Sequence, residues 1–183
     1  MDITVVVLAG GRGSRIGGDK ALVQLGGRPL ISYPLQAASD AGLEAVVVAK
    51  AATKLPPLDV PLFLEPDEPT HPLLGIVTAL ERYPAIIAIP CDMPFIQPQA
   101  LVALAEMTDD VVTLWPGEPF PALYRSSVLP QLREAIRAGA SVRSTQAQSS
   151  LAPAAITSMR PATQLAINTL SELAAAEEQL KRR

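Results

Sequence analysis

A single cysteine, Cys91, and a single histidine, His71, are all that the 183 residues hold of those two types. One cysteine cannot close an intramolecular disulfide or build a cysteine-rich metal site. One histidine removes histidine-based nucleophile triads and histidine-rich zinc sites. Aromatic residues are sparse at 4% and charged ones at 18%, whereas 49% of the chain is hydrophobic. That balance belongs to a packed globule and excludes a disordered chain. The net charge of −3 does not supply the basic face a general nucleic-acid binder needs. No apolar run reaches the length of a membrane span, and the first apolar stretch lacks the basic lead-in of a signal peptide. The expectation is a cytoplasmic protein with neither nucleic acid nor membrane as partner.

Near the start of the chain, glycine and positive charge are concentrated. The apolar, β-branched run Ile3 to Leu8 stops at Gly10-Gly11, and Gly13, Gly17 and Gly18 follow, interleaved with Arg12, Arg15 and Lys20. Glycines let backbone N–H groups converge on an anion with no Cβ in the way. Arginine and lysine add fixed positive charge at the same place. In an acidic protein, this local funnel suits a small polyanionic ligand. Two known phosphate patterns fail here. The Walker pattern is broken by Asp19 before Lys20 and by Ala21 where a hydroxyl is required, and the dinucleotide pattern by Ile16 at its third glycine. A solvated glycine-rich turn is the plain alternative.

Apolar runs and helical patterns then alternate. Strands are expected over 3–8, 45–49, 62–64, 85–89 and 111–114, with 120–124 as a further one. Ala21 to Leu25 reads as a short extended piece ending at Gly26-Gly27. Helices are expected from Pro29 to about Ala41, from Pro72 to Leu80, from Pro98 to about Met107, over 128–138 and over 170–183. Thr169 and Glu172 are spaced as a capping box for the last helix, and Lys181-Arg182-Arg183 suits its negative end. Ser141 to Ser150 reads as an exposed loop. The class is α/β with a mostly parallel sheet, right-handed crossovers, helices on both faces, and one domain.

Asp92 directly follows the 85–89 strand in a proline-flanked turn, where an open α/β sheet meets its ligands. A carboxylate facing the glycine loop there is placed to hold a hard divalent cation; ordinary turn chemistry is the alternative. Cys91 reads as a packed thiol and Trp115 as packing at a strand end.

The compound pattern Leu8-Ala9-Gly10-Gly11, Arg15-Ile16-Gly17-Gly18-Asp19-Lys20-Ala21-Leu22 and Gly27-Arg28-Pro29-Leu30 resembles the opening of the molybdenum cofactor guanylyltransferase (MobA-type) family of nucleotidyltransferases. Only Ile16, for methionine, departs from it. Pro90-Cys91-Asp92-Met93-Pro94-Phe95 is similar to the family's C-D-x-P-F segment, in which the aspartate binds magnesium. The family also places an acid just upstream of a G-P-L-A-G-I segment, in contact with the nucleotide. Asp67 is the match, with Glu68 or Glu65 as neighbours that a difference in loop length could substitute, and His71 stands where the leading glycine would be. Asn168 matches one asparagine of an N-x-N-T-P-E-D-L ending that lies toward the acceptor; Ala166 and Leu170 depart from it. Ala49 replaces a base-contacting asparagine found in some members. Residues 118–124 resemble a segment lining the acceptor side.

The resemblance implies a single-domain Rossmann-like nucleotidyltransferase sandwich, with a nucleotide half over about 1–107 and an acceptor-side half over about 108–183. The implied reaction moves GMP from GTP to the terminal phosphate of molybdenum cofactor (molybdopterin), releasing pyrophosphate. Leu8, Ala9, Gly10, Gly11 and Gly13 would hold the nucleotide, together with Asp67 and Asn168. Arg15 and Lys20 would offset phosphate charge, and Asp92 would bind Mg²⁺. Transient contact with proteins that mature molybdenum enzymes is also implied. Family members that use CTP tend to open L-A-A-G, so Gly10 favours GTP. Three other readings stay open: cytidylyl transfer to the same cofactor, transfer to a sugar phosphate, or a GTP-binding homologue without turnover, the last suggested by Ala49, His71, Ala166 and Leu170.

Overall fold

The computed structural model describes residues 3–11, 16, 18–115, 117–146, 150–151 and 166–182. A seven-stranded sheet forms its centre, in the order β5-β4-β1-β6-β8-β7-β9. The strands are β1 (Thr4–Leu8), β4 (Ala45–Ala49), β5 (Leu62–Leu64), β6 (Ala85–Pro90), β7 (Val111–Thr113), β8 (Ala122–Arg125) and β9 (Ser150–Leu151). Pairing is parallel from β5 through β4 and β1 to β6, and between β7 and β9; only β8 runs antiparallel, to both of its neighbours.

The uninterrupted valines of β1 follow from helices covering both sheet faces. Val5 and Val7 join Val47, Ile87 and Ile89 in one core cluster, packed with Ile31, Ala37, Leu101 and Leu104. Those residues come from or adjoin α1 (Ser32–Asp40) and α3 (Pro98–Ala105). Val6 turns the other way and joins Val46, Val48, Ile86 and Ala88 with Ile76, Leu80 and Leu132, the last three from α2 (Leu74–Leu80) and α4 (Leu129–Arg137). Successive strand residues thus feed opposite cores, and both demand apolar side chains.

A third, smaller cluster lies outside the sheet. Ile16, Leu25, Leu30, Phe95, Ile167 and Ala176 are buried there, with Val23, Tyr33, Leu173 and Leu180 against them. It ties together the glycine loop through Ile16, the turn after β6 through Phe95, a hairpin of β2 (Gln24–Leu25) and β3 (Arg28–Pro29), and the last helix of the described chain.

Three local expectations are corrected. Pro29 does not open a helix. Gly26 and Gly27 both adopt positive φ, 54° and 76°, a two-residue hairpin turn that draws Arg28 and Pro29 into register with Leu25 and Gln24. Helix α1 therefore starts at Ser32. Nor is the stretch from Ser141 an exposed loop. Ser141 caps α5 (Val142–Thr145) by accepting from the Ser144 N–H. Val142 is buried, and the buried Gln146 donates to the Tyr124 hydroxyl and to the Pro119 carbonyl, the latter at 3.0 Å; residues 147–149 lie outside the described ones. Finally, the last helix, α6 (Leu170–Leu180), ends before Lys181 and Arg182, so those cations follow its final turn, while Arg183 is outside the described residues.

Phe95, 2% exposed, plugs the third cluster immediately behind the Asp92 turn. Phe95→Ala should cost about 3–5 kcal/mol as a lost transfer term plus a cavity. The check is the urea unfolding midpoint, which should fall; an unchanged midpoint contradicts the packing role.

Candidate active site

After β1 the chain moves outward to β4 and β5, then returns as β6 on the other side of β1. The carboxyl ends of β1 and β6 therefore flank the point where strand order reverses, which is where open α/β sheets hold ligands. The register is tight: Leu8 stands opposite Pro90, and the Cys91 N–H donates to the Leu8 carbonyl at 3.0 Å. A cleft of about 740 Å³ opens there, lined by Leu8, Gly10, Gly11, Lys20, Glu65 and Asp92 among others.

Lys20 reaches back into this cleft from a 3-10 turn, Lys20–Leu22. Its Nζ donates to Asp92 Oδ2 at 2.5 Å and to Asn168 Oδ1 at 2.6 Å. Asp92 is 5% exposed, so its charge sits where an unpaired ion would be costly, and the lysine neutralises it. Among the described residues, Oδ1 of the same carboxylate is buried with no hydrogen-bond partner. Buried polar atoms are normally satisfied, and an anionic oxygen left over at the mouth of a phosphate-sized cleft is the kind of donor a hard divalent cation takes, together with phosphate oxygens. The residues present fit such an ion. Asn168 is held from behind: its own N–H donates to Glu172 Oε2 at 2.5 Å, and the Ile167 N–H donates to the Asp92 carbonyl at 2.9 Å.

The opposite wall is built around Glu65, whose side chain is 9% exposed. Two glycines make room for it. A Cβ at Gly10 would collide with Glu65 Oε1, and one at Gly75 would stand 2.9 Å from both Glu65 Oε2 and Leu8 Cδ2. Lys50 fixes the adjoining loop, donating to the Pro66 and Asp67 carbonyls at 3.1 and 2.7 Å, with its Nζ 4.0 Å from Glu65 Oε1. Burial raises the Glu65 carboxyl above the ordinary carboxylate range; Lys50 lowers it again in part, and Asp67 adds to the rise.

Of the residues singled out by sequence, Leu8, Gly10, Gly11, Lys20, Asp67 and Asp92 line the cleft. Asn168 meets Lys20. Ala9 is buried, and its N–H is spent on the Val48 carbonyl at 2.8 Å, continuing the sheet; that amide is not aimed at a ligand. Gly13, Arg12 and Arg15 lie outside the described residues. Asp67 is exposed, whereas Glu65, one of the two acids a difference in loop length could put in its place, lies under Gly10 and Gly75. The paired glycines were the available signal, but only the fold shows that they face one another. Cys91 is a packed thiol: burial, with Asp92 beside it, pushes it up to about 12, too high for a thiolate at neutral pH. Trp115 is core, 1% exposed. His71 bridges the start of α2 to the end of α4, contacting Ala140 O through Nε2 at 2.8 Å and accepting the Leu73 N–H on Nδ1 at 3.2 Å.

Because the folded chain holds Glu65 above its unfolded value, the native state binds more protons than the unfolded one between those two values. Stability is therefore lost as pH rises through that window. Glu65→Gln should melt higher than the parent at pH 7, with the gap closing as pH falls below the ordinary carboxylate range. A gap independent of pH would contradict the desolvation of Glu65.

A probable molybdenum cofactor guanylyltransferase of a Nostoc species is 30% identical over 75% of this chain and 73% of its own length. A probable molybdenum cofactor guanylyltransferase of Thermococcus kodakarensis is 34% identical over 72% of this chain and 70% of its own. The crystal structure of molybdopterin-guanine dinucleotide biosynthesis protein A from Archaeoglobus fulgidus superposes with a TM-score of 0.77 at 23% identity, covering 98% of this chain and 100% of that one, and so shares the fold. The sequence family described as the MobA-like NTP transferase domain matches residues 5–153, from the first strand through the cleft to β9, and the chain belongs to that family.

Proposed function

We propose that this chain is a cytoplasmic nucleotidyltransferase that moves GMP from GTP to the terminal phosphate of molybdenum cofactor, giving the guanine dinucleotide form and pyrophosphate. The observation that carries the reading is the meeting of Lys20 and Asp92 at adjacent strand ends inside one cleft. Family membership and the printed activities of the relatives support it.

In this reaction a phosphate oxygen of the acceptor attacks the α-phosphorus of GTP, and the bond from that phosphorus to the bridging oxygen of pyrophosphate breaks. The acceptor phosphate is already anionic near neutral pH, so no strong base is required. This suits a cleft whose histidine is engaged at both ring nitrogens and whose thiol stays protonated. The residues act by alignment and by neutralising charge. An ammonium has three donors; Asp92 and Asn168 take two of the Lys20 protons, and the third serves a phosphate oxygen. Gly10, Gly11 and Gly13 hold the triphosphate by backbone approach, and Arg15 joins Lys20 on the α-phosphate and the leaving pyrophosphate. Asp92 is the residue that would hold Mg²⁺, through the oxygen left unpaired among the described residues. When bound, the ion supplies neutralisation of the phosphate charge.

The choice of GTP rests on the acids of the other wall. A desolvated carboxylate accepts from the N1–H and 2-amino group of guanine, a donor pair that cytosine lacks. Glu65 is the more enclosed acid, its side chain 9% exposed, and Asp67 lies near it at the exposed edge. We assign the nucleotide to the half of the chain over about 1–107 and the acceptor to about 108–183, with Phe120 already on the cleft wall. Transient docking of molybdenum-enzyme maturation proteins belongs to the same proposal.

Pyrophosphate release with GTP, CTP, ATP or UTP, in the presence of acceptor and Mg²⁺, tests the reading. GTP should be preferred; release with another nucleotide but not GTP overturns the substrate assignment. Lys20→Ala or Asp92→Ala should each cost about 2–4 kcal/mol of transition-state stabilisation, about 30- to 1000-fold in kcat/KM. Near-parental transfer by either variant overturns its role.

A further inference from the structure

We propose that Glu172, a residue of helix α6, is a positioning residue for Lys20 and acts on it through Asn168. The inference rests on the reading of Lys20 as the phosphate-gripping cation, and adds the device that aims it.

The capping box of α6 is complete. Thr169 Oγ1 accepts the Glu172 N–H at 3.2 Å, and Glu172 Oε2 accepts the Thr169 N–H at 3.0 Å. That reciprocal pair is all that helix initiation uses. Here the same Oε2 also accepts the Asn168 N–H, at 2.5 Å. One carboxylate oxygen thus grips two successive amides and fixes the backbone from which the Asn168 side chain projects. Asn168 Oδ1 then receives Lys20 Nζ at 2.6 Å, across 148 residues of sequence. One residue earlier, the Ile167 N–H is bound to the Asp92 carbonyl at 2.9 Å. The strip 167–169 is therefore strung between both members of the Lys20–Asp92 pair and the start of the helix.

A lysine ammonium on four methylenes needs more than one fixed acceptor to be held in a single place. Asp92 supplies one and Asn168 the second. The helix that carries Glu172 is itself registered against the flank of Lys20. At its far end Glu177 Oε1 accepts the Gly26 N–H at 2.8 Å, in the hairpin that begins four residues after Lys20. Along the same helix, Leu173, Ala176 and Leu180 pack with Leu25 and Leu30 in the third cluster.

The experiment is a double-mutant cycle of Glu172→Ala and Asn168→Ala, with Glu172→Gln as the conservative variant, read in two ways. The first is kcat for nucleotidyl transfer. The second is the rate at which Lys20 is acetylated by acetic anhydride, followed by peptide mass spectrometry, which needs no turnover. Expected for each single variant is about a tenfold loss of kcat and a severalfold faster acetylation of Lys20. The double variant should be no worse than Asn168→Ala alone, and Glu172→Gln, which keeps an acceptor oxygen, should recover most of both. Coupled acetylation rates without any transfer keep the positioning role and sink the proposed reaction. Transfer with additive losses keeps the reaction and overturns the positioning role, as do acetylation rates that Glu172→Ala leaves unchanged.

Discussion

Everything at the site depends on the contact between one buried carboxylate and one ammonium. Asp92 lies just beyond β6 and is 5% exposed, and burying a charge without a partner is costly. Lys20 supplies the partner by bringing its ammonium to Oδ2. The pairing is possible because Leu8 and Pro90 are in register on adjacent parallel strands, so the segments leaving β1 and β6 start side by side. Asn168 completes the arrangement from a third region of the chain. The third hydrophobic cluster holds these three segments together: Ile16, Phe95 and Ile167 come one from each, and all are buried in it.

Much of this was legible in the sequence. Strands covered on both faces read as unbroken β-branched runs, and β4 and β5 fall on the residues expected. The proline-led start of α3 and the Thr169–Glu172 cap also fall where their residue chemistry puts them. Gly10, Gly11 and Asp92 were readable as neighbours because each follows an apolar strand, and they line one cleft. Other features depended on contacts between distant segments. Pro29 looked like a helix opener, yet two positive-φ glycines outweighed it by closing a hairpin. The serine- and glutamine-rich stretch looked exposed, yet Gln146 found a buried partner in Tyr124. Glu65 and Asp67 are equivalent by sequence position; which one turns inward is decided by the space that Gly10 and Gly75 leave open.

The charges gathered in the cleft do not favour the fold by themselves. The Glu65 side chain is 9% exposed, and the Lys50 ammonium stands 4.0 Å from it; among the described residues, one oxygen of Asp92 has no hydrogen-bond partner. Ligands complementary to these groups would recover what burial costs, so recognition and stability are coupled through them. The two large cores on either face of the sheet supply the rigidity against which the strained electrostatics are held.

The most direct measurement is a crystal structure of the chain with Mn²⁺ and a non-hydrolysable GTP analogue, with manganese located by its anomalous signal. The prediction is manganese coordinated by the Asp92 carboxylate and Lys20 Nζ within hydrogen-bond reach of a phosphate oxygen. Nucleotide bound with Lys20 and Asp92 engaged only with each other, and manganese elsewhere, would contradict it.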